Sequence, residues 1–141
     1  MKLYTKMPAL QGATRILNDQ RVHKTEMPTL IYFWSTSCSQ CKQSIEKLKD
    51  IQARFQNRLA IYAIHMPRNE QDYSMDHLKD MIHRLQLPFP IYVDHELKIS
   101  DAFENHIVPA YYLFDEQQQL RFLKYGFLST KSLQHKIERI I

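Results

Sequence analysis

Leu30-Ile31-Tyr32-Phe33-Trp34-Ser35-Thr36-Ser37-Cys38-Ser39-Gln40-Cys41-Lys42 is the stretch that decides the fold. It opens as a continuous run of β-branched and aromatic residues, the pattern of a strand buried on both faces. Three small hydroxyl residues, Ser35 to Ser37, then break the run. Apolar positions recur at Ile45, Leu48, Ile51 and Phe55, which predicts an amphipathic helix from about Ser39 to Gln56. The pair Cys38-x-x-Cys41 falls where the strand stops and the helix starts. The chain has no other cysteine.

That position carries chemistry. The first turn of a helix has unpaired backbone N–H groups and the positive end of the helix dipole. A thiolate held there is stabilised, so its pKa falls from about 8.5 toward roughly 3.5–7.5. Cys38 takes this place as nucleophile. Cys41, one turn on, points to the same side and can displace a product bound to Cys38. The competing readings are inert thiols or half of a zinc site. Zinc normally takes four protein ligands, no second cysteine pair exists, and His65 is the first histidine after Cys41. Redox chemistry is the stronger reading of a Cys-x-x-Cys at such a junction.

The stretch resembles the thioredoxin superfamily, and more narrowly the TlpA/ResA branch of thiol-disulfide oxidoreductases. Phe33-Trp34-Ser35-Thr36-Ser37-Cys38-Ser39-Gln40-Cys41-Lys42 is similar to that branch's Phe-Trp-Ala-x-Trp-Cys-x-x-Cys-Lys. Leu87-Pro88-Phe89-Pro90-Ile91-Tyr92-Val93-Asp94 looks like the segment after the branch's inserted helix. Ile107-Val108-Pro109-Ala110 resembles the loop that faces the cysteines, and Gly126 stands where a glycine often follows the last strand. The likeness implies that Trp34 walls the active site and that Trp34, Val108 and Pro109 contact substrate. It also implies a cis Val108-Pro109 bond, with the Val108 backbone offered to the substrate as a strand-like edge.

Several positions depart from the family. Thioredoxin carries an Asp six residues before the nucleophile, where this chain has Tyr32. ResA-type reductases carry a Glu three residues after the second cysteine, where this chain has Ser44. The proton acceptor for Cys41 is therefore unassigned. Gln40 stands where strongly oxidising relatives place a histidine, which points to a mildly reducing couple. The Pro-x-x-x-Thr-x-x-Cys signature of peroxiredoxins is not present around Cys38, which disfavours direct peroxide reduction.

The 141 residues, 44% of them apolar, fit one domain over 1–141. The net charge of +4 is mild and dispersed. Lys42, Lys47 and Lys49 are interrupted by Glu46 and Asp50, a solvated helix face rather than a nucleic-acid patch. No stretch has the length of a signal-peptide core or a membrane span, so the expected compartment is the cytoplasm. Arg15 to Val22 is read as a hairpin around Asn18-Asp19. Further strands are expected at Leu59–His65, Ile91–Val93, Ala110–Phe114 and Leu120–Tyr125. Helices are expected from about Asp72 to Leu85, near Leu97 to Glu104, and after a cap at Ser129 or Thr130. The fold class is α/β: a thioredoxin-like mixed sheet flanked by helices, with the extra helix of the TlpA/ResA branch.

Of the seven histidines, His23, His95 and His135 are read as surface residues. His77 and His83 are six apart and do not share a helix face. His65 and His106 lie where either could approach the dithiol. The expected function is reduction of protein disulfides by a monomer, without a cofactor, a metal, a nucleic acid or a membrane partner. An outside thiol reductant or reductase resets the pair. The alternative is a copper-binding metallochaperone of the same fold that adds His65 or His106 to the sulfurs.

Overall fold

A strand that is apolar on both faces needs cover on both. The computed structural model, which describes residues 1–19 and 26–141, supplies it. The strands are β1 (Arg15–Leu17), β2 (Thr29–Trp34), β3 (Ala60–His65), β4 (Ile91–Val93), β5 (Ala110–Phe114) and β6 (Leu120–Tyr125). The helices are α1 (Ser39–Arg54), α2 (Met75–Leu85), α3 (Lys98–Ala102) and α4 (Thr130–Glu138). The sheet order is β1-β4-β3-β2-β5-β6, which puts β2 and β3 at its centre. β2, β3 and β4 are parallel, as helical crossovers require. β5 runs antiparallel to β2, and β6 antiparallel to β5.

Side chains alternate across β2. Leu30, Tyr32 and Trp34 join Ile45, Leu48 and Ile51 of α1, Leu78 and Ile82 of α2, and Leu133 and Ile137 of α4. Ile31 and Phe33 face the other way, against Ile99, Phe103, Tyr112 and Phe114. Both cysteines belong to the first layer. The dithiol is thus an outgrowth of one core rather than an appendage on a loop.

One expectation is corrected, and another falls partly outside the described residues. The return arm of the hairpin expected around Asn18-Asp19 lies outside the described residues; β1 itself pairs antiparallel with β4, Arg15 opposite Val93 and Leu17 opposite Ile91. The Thr14 amide and hydroxyl both donate to the Val93 carbonyl, and Asn18 Nδ2 donates to the Leu87 carbonyl, which ties this segment to a distant edge. Val22 and His23 lie outside the described residues. The helix expected from Asp72 starts at Met75, because Ser74 caps it by accepting from the His77 amide at 3.2 Å. Asp72 sits instead in a separate 3₁₀ turn, Glu70–Tyr73.

Burial ranks the aromatic residues. Phe33 is fully buried, with edge contacts to Phe103 and Tyr112 at ring separations of 5.4 and 5.5 Å. Phe127 is 69% exposed. Phe33→Ala should cost about 3–5 kcal/mol, and Phe127→Ala less than about 0.5 kcal/mol. Urea unfolding of the two variants checks the contrast.

Candidate active site

The site grows from the end of β2. The Trp34 carbonyl accepts from the Met66 amide at 2.8 Å, and Ser35 Oγ donates to the Met66 carbonyl at 2.7 Å. The Cys38 amide closes a turn onto the Ser35 carbonyl at 3.2 Å. Cys38 is the N-cap of α1, with extended backbone. Its sulfur accepts from the Cys41 amide at 3.1 Å. No acidic residue occupies the first turn of α1, so nothing on the helix itself opposes its dipole there. Cys38 and Cys41 are joined as a disulfide with Cα atoms 5.2 Å apart. Cys41 is wholly buried, whereas Cys38 keeps 6% of its surface.

The two positions at which relatives carry acids touch each other. Tyr32 Oη and Ser44 Oγ are hydrogen-bonded, and Tyr32 also donates to the Cys41 carbonyl at 3.2 Å. Ser44 Oγ lies 3.0 Å from the Gln40 carbonyl. Burial, with the Tyr111 ring tilted against it at 5.1 Å, pushes the Tyr32 phenol far up. Tyr32 is therefore a donor and never a base near neutrality.

Trp34 requires a correction. It is wholly buried, packed edge-on to His65 at 5.2 Å within the core layer that also holds both cysteines, and presents no surface to a substrate. Val108-Pro109 is cis, as the sequence implies. Val108 is half-buried and packs against the layer that holds both cysteines. Pro109 is buried, and its carbonyl accepts from the Gly126 amide at 2.8 Å. Because Ala110 lies opposite Phe33, Pro109 follows at the β2 end that leads to Cys38. Among the described residues nothing hydrogen-bonds the Val108 N–H or C=O.

His65 is a structural partner of the site. It is fully buried and its Nε2 accepts from the Thr36 amide at 3.2 Å. Its Nδ1, like Trp34 Nε1, is buried without a partner among the described residues. His95 is half-buried, not a surface residue, with its ring 6.4 Å from that of His65 and its Nε2 also without a partner among the described residues. His106 is exposed. Neither His65 nor His106 forms a metal set with the sulfurs: among the described residues no three His, Cys, Asp or Glu side chains are gathered to hold an ion.

One functional neighbour escaped the sequence reading. Asp72 is buried, and its carboxylate accepts from the Thr36 hydroxyl, the Ser37 amide and the Ser37 hydroxyl, each at 3.0 Å, and from the Arg68 amide at 2.8 Å. Burial pushes its pKa up, but these hydrogen bonds outweigh that and hold the carboxyl below its ordinary value. A lone Asp before a helix gives no signal of this; only the fold brings it to Thr36 and Ser37.

Burial lowers the pKa of His65 to about 4, against an upward pull from Asp72. The folded state thus holds His65 neutral where the unfolded chain, with a pKa near 6.5, already takes up a proton. Stability is complete above about pH 6.5 and is lost as pH falls toward 4. The Asp72 contribution disappears only at lower pH, so the two windows separate. Between pH 7 and 4.5 the His65 term should amount to about 2 kcal/mol. Urea unfolding at both pH values should show this loss in the wild type, with a smaller loss in His65→Gln.

Comparison with known proteins agrees with this site. The AhpC/TSA family model matches residues 4–123. The chain is 38% identical over 144 residues to the thiol-disulfide oxidoreductase YkuV of Bacillus subtilis, covering 100% of this chain and 97% of that protein. The solution structure of a thioredoxin-like protein in the oxidized form is similar at a TM-score of 0.88, with 37% identity over 99% of this chain and 97% of the other. The crystal structure of the thioredoxin-like superfamily protein SPOA0173 shares the fold at a TM-score of 0.85 and 21% identity, over 96% and 95% of the two chains. The chain therefore belongs to the AhpC/TSA family within the thioredoxin superfamily, and it is a thiol-disulfide oxidoreductase.

Proposed function

We propose that the chain works as a TlpA/ResA-like reductase of protein disulfides, with Cys38 as nucleophile and Cys41 as resolving thiol. One observation carries the division of labour. Cys38 caps α1 with its sulfur on a backbone N–H, while Cys41 is buried one turn inside the helix. The reduced Cys38 thiolate attacks one sulfur of the substrate disulfide, forming a mixed disulfide and expelling a substrate thiolate. The Cys41 thiolate then attacks Cys38 Sγ. The second substrate thiolate leaves, and the Cys38–Cys41 disulfide closes. Two electrons pass from the dithiol to the substrate, whose two sulfurs take up protons. An outside dithiol returns the electrons through attack on Cys38, the sulfur that keeps some exposure.

Substrate docking falls to the loop before β5. The Val108 backbone groups are free to pair with an extended segment. Ile107 and Phe127 are exposed on either side of the Pro109–Gly126 hydrogen bond and offer apolar contact. The protein acts as a monomer in this reading. Its compartment is the cytosol, where a thiol poise near roughly −220 to −320 mV keeps the pair reduced. Gln40, neutral between the cysteines, fits the reducing direction.

Cys38→Ser should abolish disulfide reduction. Cys41→Ser should still attack and should accumulate mixed disulfides with its targets, which dissolve on adding dithiothreitol. Non-reducing electrophoresis of both variants reads the outcome. Complexes collected by Cys38→Ser instead, or faster labelling of Cys41 than Cys38 by iodoacetamide, would reverse the assigned roles.

A further inference from the structure

Asp72 is a buried carboxylate that the thiol chemistry does not use. Four hydrogen bonds from Thr36, Ser37 and Arg68 fill its acceptor sites. Three of them come from the two residues immediately before Cys38. Among the described residues no cation forms an ion pair with it; the Arg68 guanidinium turns instead to Ser37 Oγ at 3.3 Å. A buried negative charge is thus fixed through Ser37, one residue from the nucleophile. Neutral partners suffice to keep a carboxylate ionised when they fill its lone pairs. They leave the carboxylate without a direct counter-charge, the Arg68 guanidinium reaching only Ser37 Oγ, and burial limits screening by salt.

Two consequences follow from one side chain. The carboxylate holds Thr36 and Ser37, a segment also held from the far side by the His65 ring on the Thr36 amide. Its charge also opposes the α1 terminus and the Cys41 N–H, which both favour a thiolate at Cys38. Destabilising the Cys38 thiolate disfavours the reduced form, while the neutral disulfide is little affected. The pair then yields its electrons more readily.

We propose that Asp72 is a positioning residue of the active-site loop whose charge raises the pKa of Cys38 and makes the Cys38–Cys41 couple more reducing. The proposal rests on Cys38 being the reactive thiol. Its test reads that thiol directly, so it is independent of whether protein disulfides are the substrates.

Asp72→Asn keeps an oxygen for the Ser37 amide and the Thr36 hydroxyl and removes the charge. Thr36→Val removes one hydroxyl bond and keeps the charge. Cys38 pKa is read from thiolate absorbance at 240 nm in a Cys41→Ser background. The potential is read by equilibration with glutathione in the variants that retain both cysteines. Asp72→Asn should lower the Cys38 pKa by about half to one unit. It should also shift the dithiol–disulfide equilibrium about threefold to tenfold toward the dithiol, or about 15–30 mV upward. Thr36→Val should leave both values near the wild type. A folded Asp72→Asn with unchanged pKa and potential overturns the proposal, as does an equal shift in Thr36→Val. If Asp72→Asn does not fold, the exposed Arg68→Glu decides. It adds charge of the same sign on the same side of the loop and should raise the Cys38 pKa and lower the potential. No change in either value would show that charge there does not reach the sulfur, which also overturns the proposal.

Discussion

Cover on both faces of β2 is the constraint on which the rest of the structure depends. Leu30, Tyr32 and Trp34 are committed to one layer, and Ile31 and Phe33 to the other. A slip of one residue would exchange the two sets, so the register is fixed by packing. It is Trp34↔His65 on one side and Phe33↔Ala110 on the other. From that fixed end, short hydrogen bonds carry rigidity forward: Trp34 and Ser35 to Met66, Thr36 to His65, Cys38 to Ser35. The place of Cys38 is therefore a consequence of the core. The reacting sulfurs need no flexible loop to position them.

The same packing explains the missing acids. Positions 32 and 44 face each other across the contact between β2 and α1, so a change at one alters the bonding available to the other. Here two hydroxyls share a hydrogen bond and engage the Cys41 carbonyl. The pair is fully satisfied without a charge, which avoids the cost of burying a carboxylate among apolar side chains. The phenol cannot serve as a base in this setting.

The elements whose pattern reflects their own burial were legible in the sequence. α1 follows from the one-sided stripe Ile45, Leu48 and Ile51, and β5 from the continuous apolar run Ala110 to Phe114, buried on both faces. The junction between β2 and α1 follows from the change of period at Ser35 to Ser37. What could not be read depends on contacts between distant segments. β1 carries three residues and finds its partner only at Val93 to Ile91, more than seventy residues on. Asp72 follows a polar turn, Arg68 to Gln71, and precedes an apolar stripe, so periodicity assigns it to the helix that Ser74 in fact caps. His65 and His95 have no local signature at all. Their burial follows from β3 and β4 being neighbours, with His65 and Val93 in register just before His95. Trp34 was legible as a core residue, but burial on the sheet's helix-covered face denies it the substrate contact that the family likeness suggested.

Two influences of opposite sign meet at Cys38, and distance separates their roles. The Cys41 N–H touches the sulfur itself, and the helix terminus lies directly beneath it. These nearest terms distinguish Cys38 from Cys41, because only the capping sulfur receives them. The Asp72 charge acts from beyond Ser37 and bears on the same sulfur more weakly, which suits it to adjusting the energy of a thiolate already selected. The two terms come from different pieces of the chain, α1 and the 3₁₀ turn before α2. A change in one therefore need not disturb the geometry set by the other. Here the hydroxyl pair of Tyr32 and Ser44 leaves the underside neutral, and the charge lies on the loop side, against the nucleophile.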